Sequence, residues 1–331
     1  MTTKTRNSNF ELLRIIAITF IVIWHISIHA QKGELASHNY ILAITITGVN
    51  LFVLISGYFG IKLSWRSLLT FVSTIAYYNI ITIILKWGIT GTPPDIDSIK
   101  FLLEPIKESR WWFINCYFNL MLLSPIINIA LNKCTERQLK YFLGVLLFIS
   151  CISGFCFRNS INLNGYNTFQ FVTMYVLGNA IHKFELPARF STKYFSAIYL
   201  TTVLCIFISS FILIPGSRFY NNPLVIISAV CFFCIIAKMN FYNRTINHIA
   251  TFTFPVYLFQ DSIVGSIAYD YLYDKGKILE FEGFYYYTII CTYILALLCS
   301  TFIFEHIRRG LFKRPINSTS TFLDKRLNFF H

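Results

Sequence analysis

Long apolar runs recur along the whole chain and are separated by short polar segments. The runs are continuous rather than alternating, and most approach the roughly 20 residues that an α-helix needs to cross a bilayer. Strands are disfavoured, because a membrane barrel is built from short segments that alternate polar and apolar residues. The pattern predicts ten membrane helices: Leu12–Ile28, Ile41–Phe59, Leu68–Leu85, Trp111–Leu131, Tyr141–Cys156, Phe169–Ile181, Tyr194–Ile214, Pro223–Ala237, Ile249–Ala268 and Phe284–Phe304.

Composition supports this prediction. Of 331 residues, 55% are hydrophobic and only 13% are charged, and the mean hydropathy is +0.58, whereas soluble domains carry about a quarter charged residues. We expect an all-α membrane protein, a bundle of about ten transmembrane helices. Residues 1–314 should form the membrane domain and residues 315–331 a cytoplasmic tail, weakly structured because Ser, Thr and Asn cluster there.

The distribution of charge predicts the orientation. The net charge is +13, but the basic residues are dispersed between the apolar runs, which argues against nucleic acid as a partner. Lys and Arg are concentrated in the N-terminus, the even-numbered loops and the C-terminus, whereas nine acidic residues lie in the odd-numbered loops. Since basic loops stay in the cytoplasm, both termini are predicted to be cytoplasmic. Arg14 interrupts the first apolar run and no small-residue cleavage site follows it, so this run should be an uncleaved span.

The cysteines give no sign of a metal site. Nine are present, mostly inside apolar runs, and they show neither two CxxC motifs that could pair nor the Cys/His spacing of metal ligands. Cys231 and Cys234 lie three residues apart in an apolar helix, so we expect them to be packing residues.

Two ionisable residues lie inside the first span. Eleven residues separate Arg14 from His25, so a helix stacks both side chains on one stripe, about 16 Å apart. A charge at that depth must face protein or a water-filled cavity, so the stripe should point into the bundle. An arginine at the inner mouth suits a phosphate or another anion, and a deep histidine suits proton transfer near neutral pH. Alternatively, Arg14 pairs with Glu11 and His25 makes a structural hydrogen bond.

Other polar residues are candidates for the same cavity. Asp261 lies in the ninth span one turn after Tyr257, and a carboxylate there could orient a histidine or an acceptor hydroxyl. Arg110 and Asn115 mark the start of the fourth span. Two further basic residues follow the second span and could bind a phosphorylated ligand, although orientation in the membrane would also place them there: Lys62 and Arg66.

Four segments, "NFELLRIIAITFIVIWH", "LFVLISGYFGIK", "WWFINCYFNLMLLSPIIN" and "FEHIRRGLFKR", together resemble the acyltransferase 3 family of membrane O-acyltransferases. The opening "NFELLRIIAITFIVIWH" matches the basic-x10-His signature of that family at Arg14 and His25. "LFVLISGYFGIK", "WWFINCYFNLMLLSPIIN" and "FEHIRRGLFKR" resemble its second helix, its Trp-Phe, Tyr and Ser-Pro stretch, and its exit from the last helix. Trp112 and Tyr117 thereby join Arg110, Asn115 and Tyr257 as candidate substrate-binding residues. Relatives often carry a histidine where this chain has Gln260, so no second histidine role is expected there.

The resemblance implies an activity. Family members transfer an acyl group, usually acetyl from acetyl-CoA, to a hydroxyl of a cell-surface glycan or its precursor, in the bacterial plasma membrane. Acetyl-CoA is then a substrate, no permanently bound cofactor is expected, and glycan-assembly proteins are possible partners. Arg14, Lys62 and Arg66 would bind the donor, and His25 would act with Arg14 and Asp261 in catalysis, as a general base or as an acylated relay.

Two other classes of function, a glycan carrier and a scaffold without chemistry, are alternatives to the enzyme. Ten helices with buried ionisable residues also describe a carrier or exporter of glycan, but a carrier more often shows internal repeats and helices broken at matched positions, which the sequence does not reveal. A scaffold without chemistry would have no use for Arg14 and His25 in the membrane. The sequence therefore favours the enzyme.

Overall fold

The computed structural model describes residues 7–30, 39–94, 96, 111–274 and 284–327. Among these residues the secondary structure is helical and contains no β-strand. Seven helical segments are long and apolar enough to cross a membrane. These observations confirm the predicted all-α membrane fold.

Thirteen helices are named here in chain order within the described residues. They are α1 (Asn9–His25), α2 (Asn39–Thr45), α3 (Gly48–Phe59), α4 (Trp65–Thr90), α5 (Trp112–Lys133), α6 (Glu136–Leu147), α7 (Thr168–Lys183), α8 (Thr192–Phe211), α9 (Pro223–Ala237), α10 (Arg244–Ile249), α11 (Thr253–Gln260), α12 (Ile263–Asp274) and α13 (Phe284–Leu327). The π-helical segments Ile26–Ala30 and Phe148–Cys156 continue α1 and α6.

Local sequence explains several helix starts. Thr135 and Gln138 form a reciprocal capping box at the start of α6, and the Asn167 side chain caps α7 by accepting from the backbone of Gln170. Asn222 caps α9, whose first residue is a proline. Each cap satisfies a backbone N–H that has no partner inside its helix.

The seven candidate spans fall on seven of the ten predicted helices. The sixth and eighth predictions fall on α7 and α9, which are shorter, with 16 and 15 residues. The count of ten therefore stays a prediction.

The prediction of one continuous ninth helix was wrong. Residues 244–274 form α10, a 3-10 turn, α11 and α12, with a break at Asp261 and Ser262. After this break the Ser262 hydroxyl accepts from the backbone N–H of Gly265, which starts α12 as a separate helix. The second predicted helix is also divided, into α2 and α3.

The prediction of a weakly structured tail was also wrong for its described part. Helix α13 continues through Pro315 to Leu327. Ser320 and Thr321 donate their hydroxyls to the Asn317 carbonyl, and the Arg326 guanidinium lies 4.9 Å from the Phe322 ring centroid. At 1.5 Å per residue its 44 residues span about 66 Å, longer than a bilayer is thick, so part of α13 extends beyond the membrane.

The described residues divide into two compact units. The first comprises described residues 7–24, 39–61 and 112–251. In it, α3 packs closely against α7, because a Cβ on Gly57 would lie 2.0 Å from the Tyr175 carbonyl oxygen and one on Gly178 would lie 2.3 Å from the Leu54 carbonyl oxygen. Small residues of this kind let membrane helices approach backbone to backbone.

The second unit comprises described residues 25–30, 62–94, 96, 111, 252–274 and 284–327. Its helix α13 carries a buried ion pair, in which Glu305 accepts two hydrogen bonds from Arg308 at 2.7 and 2.8 Å and one from Arg309 at 2.7 Å. Glu305 is 1% exposed and Arg308 is 6% exposed. Phe71 of α4 stacks on Phe254 of α11 with ring centroids 5.0 Å apart.

Candidate functional site

His25 is the last residue of α1 and belongs to the second unit. Its Nδ1 lies 2.9 Å from Nε2 of Gln260, the last residue of α11. The other amide atom, Gln260 Oε1, accepts a hydrogen bond from the Tyr269 hydroxyl at 2.5 Å. Gln260 and Tyr269 are 0% and 3% exposed, so the hydrogen bond between them is buried, whereas the contact with His25 is part-buried.

The series continues to a fourth side chain. Tyr269 of α12 is hydrogen-bonded to the side chain of Tyr293 of α13, and their ring centroids lie 5.7 Å apart. The members therefore come from the ends of α1 and α11 and from α12 and α13. Buried polar networks of this kind hold their members in place when every member is satisfied.

A second histidine lies beside the first. In the π-helical segment after α1, the His29 ring stacks on His25 with centroids 5.6 Å apart and on Tyr269 with centroids 5.7 Å apart. Asp261 and Asp270 interact with His29 electrostatically. The π-helical geometry is rare and occurs often at functional sites.

The break between α11 and α12 positions Gln260. Gly265 approaches so closely that a Cβ there would lie 1.8 Å from the backbone oxygen of Gln260. The Ser262 hydroxyl donates to the Phe259 carbonyl at 2.6 Å. The turn thus holds the end of α11 against the start of α12, and the Gln260 side chain reaches His25 from there.

Asp261 follows Gln260 directly. Its Oδ2 accepts from the Tyr257 hydroxyl at 3.0 Å, and its backbone oxygen accepts from the Trp111 indole N–H at 2.8 Å. Two residues predicted for different roles, Asp261 for catalysis and Tyr257 for substrate binding, are therefore hydrogen-bonded to each other.

Arg14 lies in the first unit, on the same continuous helix as His25. Its Nη1 donates to Glu11 Oε1 at 2.6 Å, and the side chains are 30% and 5% exposed. This ion pair is the one that the structural alternative expected. It uses one of the five N–H donors of the guanidinium, and the structure shows no partner for the others within the described residues.

Of the five predicted substrate-binding residues, three lie on α5 in the first unit, Tyr257 lies on α11, and Arg110 lies outside the described residues. The Trp112 ring packs against Tyr166 and Tyr220, with centroids 4.6 and 5.4 Å away. Asn115 accepts from Asn119 at 3.1 Å. The third residue, Tyr117, shares a 3.1 Å hydrogen bond with Ser56.

Tyr166 is the exposed edge of this aromatic group, at 38% exposure. Burial of its hydroxyl raises the pKa of Tyr166, an effect that its hydrogen bond to Tyr220 and the charge of Arg218 oppose. The phenol therefore stays neutral at physiological pH and can donate a hydrogen bond. Arg218 also lies over the ring of Trp24, 5.8 Å from its centroid.

Lys62 and Arg66 are exposed residues of the second unit. The backbone just before Lys62 is held in the first unit, where Ile61 donates to the Tyr175 hydroxyl at 2.8 Å and accepts from Asn128 at 2.9 Å. Tyr175 in turn donates to Asn128 at 2.7 Å. This chain segment therefore has a defined path as it enters α4.

The candidates thus divide between the units. The second unit contains His25, Asp261, Tyr257, Lys62 and Arg66. The first unit contains Arg14, Trp112, Asn115 and Tyr117. Within the described residues no group of three or more His, Cys, Asp or Glu side chains could hold a metal ion, and none of the nine cysteines forms a disulfide.

Sequence reasoning missed the immediate neighbours of His25. Gln260 was noted only because relatives often carry a histidine at that position. No sequence pattern indicated Tyr269, because its contact with Gln260 depends on a helix break that the apolar pattern does not reveal. His29 could have been found, because residues four apart share a helix face.

A family model described as an acyltransferase domain, acyltransferase 3, matches residues 7–308. This match covers α1 and extends through the buried ion pair of α13. Comparison with curated protein sequences gave no match, and comparison with solved structures gave none.

Proposed function

The chain belongs to the acyltransferase 3 family, and on this premise we propose that it is a membrane O-acyltransferase. Its donor is cytoplasmic acyl-CoA, with acetyl as the group transferred, and its acceptor is a hydroxyl of a cell-surface polysaccharide or of the lipid-linked precursor. The bacterial plasma membrane is the proposed location, with both termini in the cytoplasm. Glycan-assembly proteins are the proposed partners.

The observation that carries the proposal is the environment of His25. The imidazole is held at Nδ1 by a buried amide, which fixes the orientation of the ring. Histidine is the side chain that most often serves as a general acid or base in enzymes.

In the proposed reaction His25 acts as a general base. The acceptor hydroxyl oxygen attacks the thioester carbonyl carbon, and its proton passes to His25. The C–S bond then breaks, and the proton is delivered to the departing CoA thiolate, so that His25 returns to its neutral form. General-base catalysis contributes typically 10² to 10⁴ in rate. A relay through an acylated His25 is the alternative route, which splits one transfer into two.

The donor is proposed to bind through its phosphates. Arg14 retains N–H donors beyond those used by Glu11, and its distance from His25 along α1, about 16 Å, is comparable to the length of a pantetheine arm. Lys62 and Arg66 are exposed and positively charged, and they are proposed to bind further phosphate oxygens.

The acceptor is proposed to bind through aromatic and polar side chains. Trp112, with Tyr166 and Tyr220, offers the stacked ring surface on which sugar rings pack. Arg110, Asn115 and Tyr117 are proposed as further contacts. In the second unit, Asp261 with Tyr257 is proposed to orient the acceptor hydroxyl.

A glycan carrier is the second candidate function. One observation favours it, because the divided helices α2/α3 and α11/α12 resemble the discontinuous helices that form transporter sites. A transporter would move glycan without covalent change, so the two candidates predict different products.

The test uses inverted membrane vesicles containing the full chain, labelled acetyl-CoA and glycan acceptor. Covalent label on the sugar supports the enzyme, whereas glycan movement without label supports the carrier. His25→Ala should lower labelling by at least about 100-fold at normal protein abundance, and Arg14→Ala should raise the KM for acyl-CoA. The matched control is His248→Ala, an exposed histidine of α10, which should label at the wild-type rate. Full activity of His25→Ala would remove His25 from the mechanism.

A further inference from the structure

The amide of Gln260 decides which nitrogen of His25 carries a proton. An amide NH₂ group only donates, so Gln260 Nε2 facing Nδ1 at 2.9 Å requires Nδ1 to accept. The neutral ring then carries its proton on Nε2. The partner distance supports this orientation, because 2.5 Å between Tyr269 and Oε1 fits an O–H···O bond and is short for N–H···O.

This orientation makes His25 a donor rather than a base. A proton acceptor at Nε2 needs the proton on Nδ1, and Nδ1–H needs an acceptor in turn. After Nε2 has taken the acceptor's proton, the imidazolium also carries Nδ1–H. Gln260 must therefore present its oxygen to His25 in both protonation states of the proposed general base.

A half-turn of the amide supplies that oxygen without loss of hydrogen bonds. Gln260 Oε1 then accepts from His25 Nδ1, and Gln260 Nε2 donates to the Tyr269 hydroxyl oxygen. The Tyr269 hydroxyl keeps its proton and rotates to donate to the oxygen of its other partner, Tyr293, to which it is already hydrogen-bonded. A hydroxyl both donates and accepts, so the network is satisfied in either orientation.

We propose that Gln260 is the positioning residue of His25, and that rotation of its amide, supported by Tyr269 and Tyr293, switches His25 between a donor and a base. This inference rests on the proposed function for its catalytic consequence. Its structural content, the coupling of the amide to the imidazole proton, holds whatever reaction the protein performs.

Apart from residue 260 itself, the charged and titratable groups near His25 are unchanged in each residue 260 variant designed below. His29 lies against the ring, Asp261 and Asp270 interact with His29, and Tyr269 faces both histidines. A change in the His25 nitrogen signals or in the pH profile of a residue 260 variant is therefore caused by the substitution at residue 260.

The first test measures the proton directly. Protein labelled with ¹⁵N-histidine is placed in bilayers, and the His25 signals are assigned by difference from His25→Gln. In Gln260→Glu the carboxylate accepts from Nδ1, so the protonated nitrogen should change from Nε2 to Nδ1 or both should be protonated. Unchanged His25 signals in Gln260→Glu overturn the proposal.

The second test measures the pH dependence of acyl transfer. A carboxylate beside the ring stabilises the imidazolium form, so in Gln260→Glu the acidic limb of the rate profile should move about one pH unit or more upward. Gln260→Leu removes the acceptor of Nδ1–H, so the limb should move downward and kcat should fall at least tenfold with KM for the donor within twofold. Shifts of the two variants in the same direction contradict the proposal.

The third test preserves packing, in case the residue 260 variants fold poorly. Tyr293→Phe removes the hydroxyl oxygen that accepts the Tyr269 hydrogen bond when the amide is turned. The kcat should fall several-fold without change in the KM for acyl-CoA. Tyr271→Phe, an exposed tyrosine of α12, is the matched control and should behave as wild type. A kcat equal to that of wild type in Tyr293→Phe would contradict the proposal that rotation of the Gln260 amide, supported by Tyr293, makes His25 a base. Failure of the proposed function would abolish both kinetic tests and leave the nitrogen signals of the first test intact.

Discussion

Gly265→Ala tests whether the break between α11 and α12 positions Gln260 against His25, the proposed catalytic histidine. The new Cβ would lie 1.8 Å from the Gln260 backbone oxygen, whereas real Cβ contacts are not shorter than 3.0 Å. The backbone at Gln260 must therefore retreat by about 1.2 Å. The hydrogen bond to His25 is 2.9 Å long and is lost beyond about 3.5 Å, so a shift of that size exceeds its tolerance.

The expected cost follows from this displacement. Misplacement of a catalytic group by about 1 Å costs about 100-fold in rate, equivalent to about 2.7 kcal/mol in the activation barrier. Overpacking should also lower the free energy of unfolding by about 1–3 kcal/mol. The rate loss should remain after correction for the amount of folded protein.

The assay is the initial rate of label transfer from acetyl-CoA to glycan in inverted vesicles, divided by the folded fraction from size-exclusion chromatography in detergent. Gly88→Ala in α4 is the matched control, because no atom lies within 4 Å of its new Cβ. A corrected rate for Gly265→Ala equal to that of Gly88→Ala would refute the argument that this close approach positions Gln260.

Three further predictions concern stability, measured as thermal unfolding in detergent. Gly178→Ala should lower the melting temperature, because its Cβ would meet the backbone of α3 at 2.3 Å, whereas Gly144→Ala should raise it slightly through helix propensity. Glu305→Gln should destabilise the chain by about 3–5 kcal/mol by leaving buried arginine charge unpaired, whereas Glu136→Gln breaks an exposed pair and should cost less than about 1 kcal/mol. Asn79→Leu should be neutral or stabilising, because both amide atoms of this 1% exposed residue lack hydrogen-bond partners within the described residues. A melting temperature of Gly178→Ala at or above the wild-type value, a loss in Glu305→Gln no larger than that in Glu136→Gln, or a clear loss in Asn79→Leu would contradict the argument behind that prediction.

Local sequence was enough to predict the fold class and to place two candidate site residues on one face of α1. Continuous apolar runs identify membrane helices because lipid imposes the same requirement on every spanning segment. Helical periodicity places Arg14 and His25 on one side of α1, and residues three apart on a helix meet, which is why the Arg14 pair with Glu11 could be foreseen. The motif order likewise indicated the family that the match to residues 7–308 confirmed.

The surroundings of His25 were decided only by the tertiary structure. Hydropathy does not distinguish one helix from two joined at Asp261, because both bury the same apolar residues, and the contact from Gln260 depends on that break. The extension of α13 past Pro315 depends on helix propagation from a packed segment, which a count of Ser, Thr and Asn ignores. Periodicity is a property of neighbours in the chain, whereas the hydrogen bond from residue 260 to residue 25 joins groups 235 positions apart, and only the packing of helices brings these groups together.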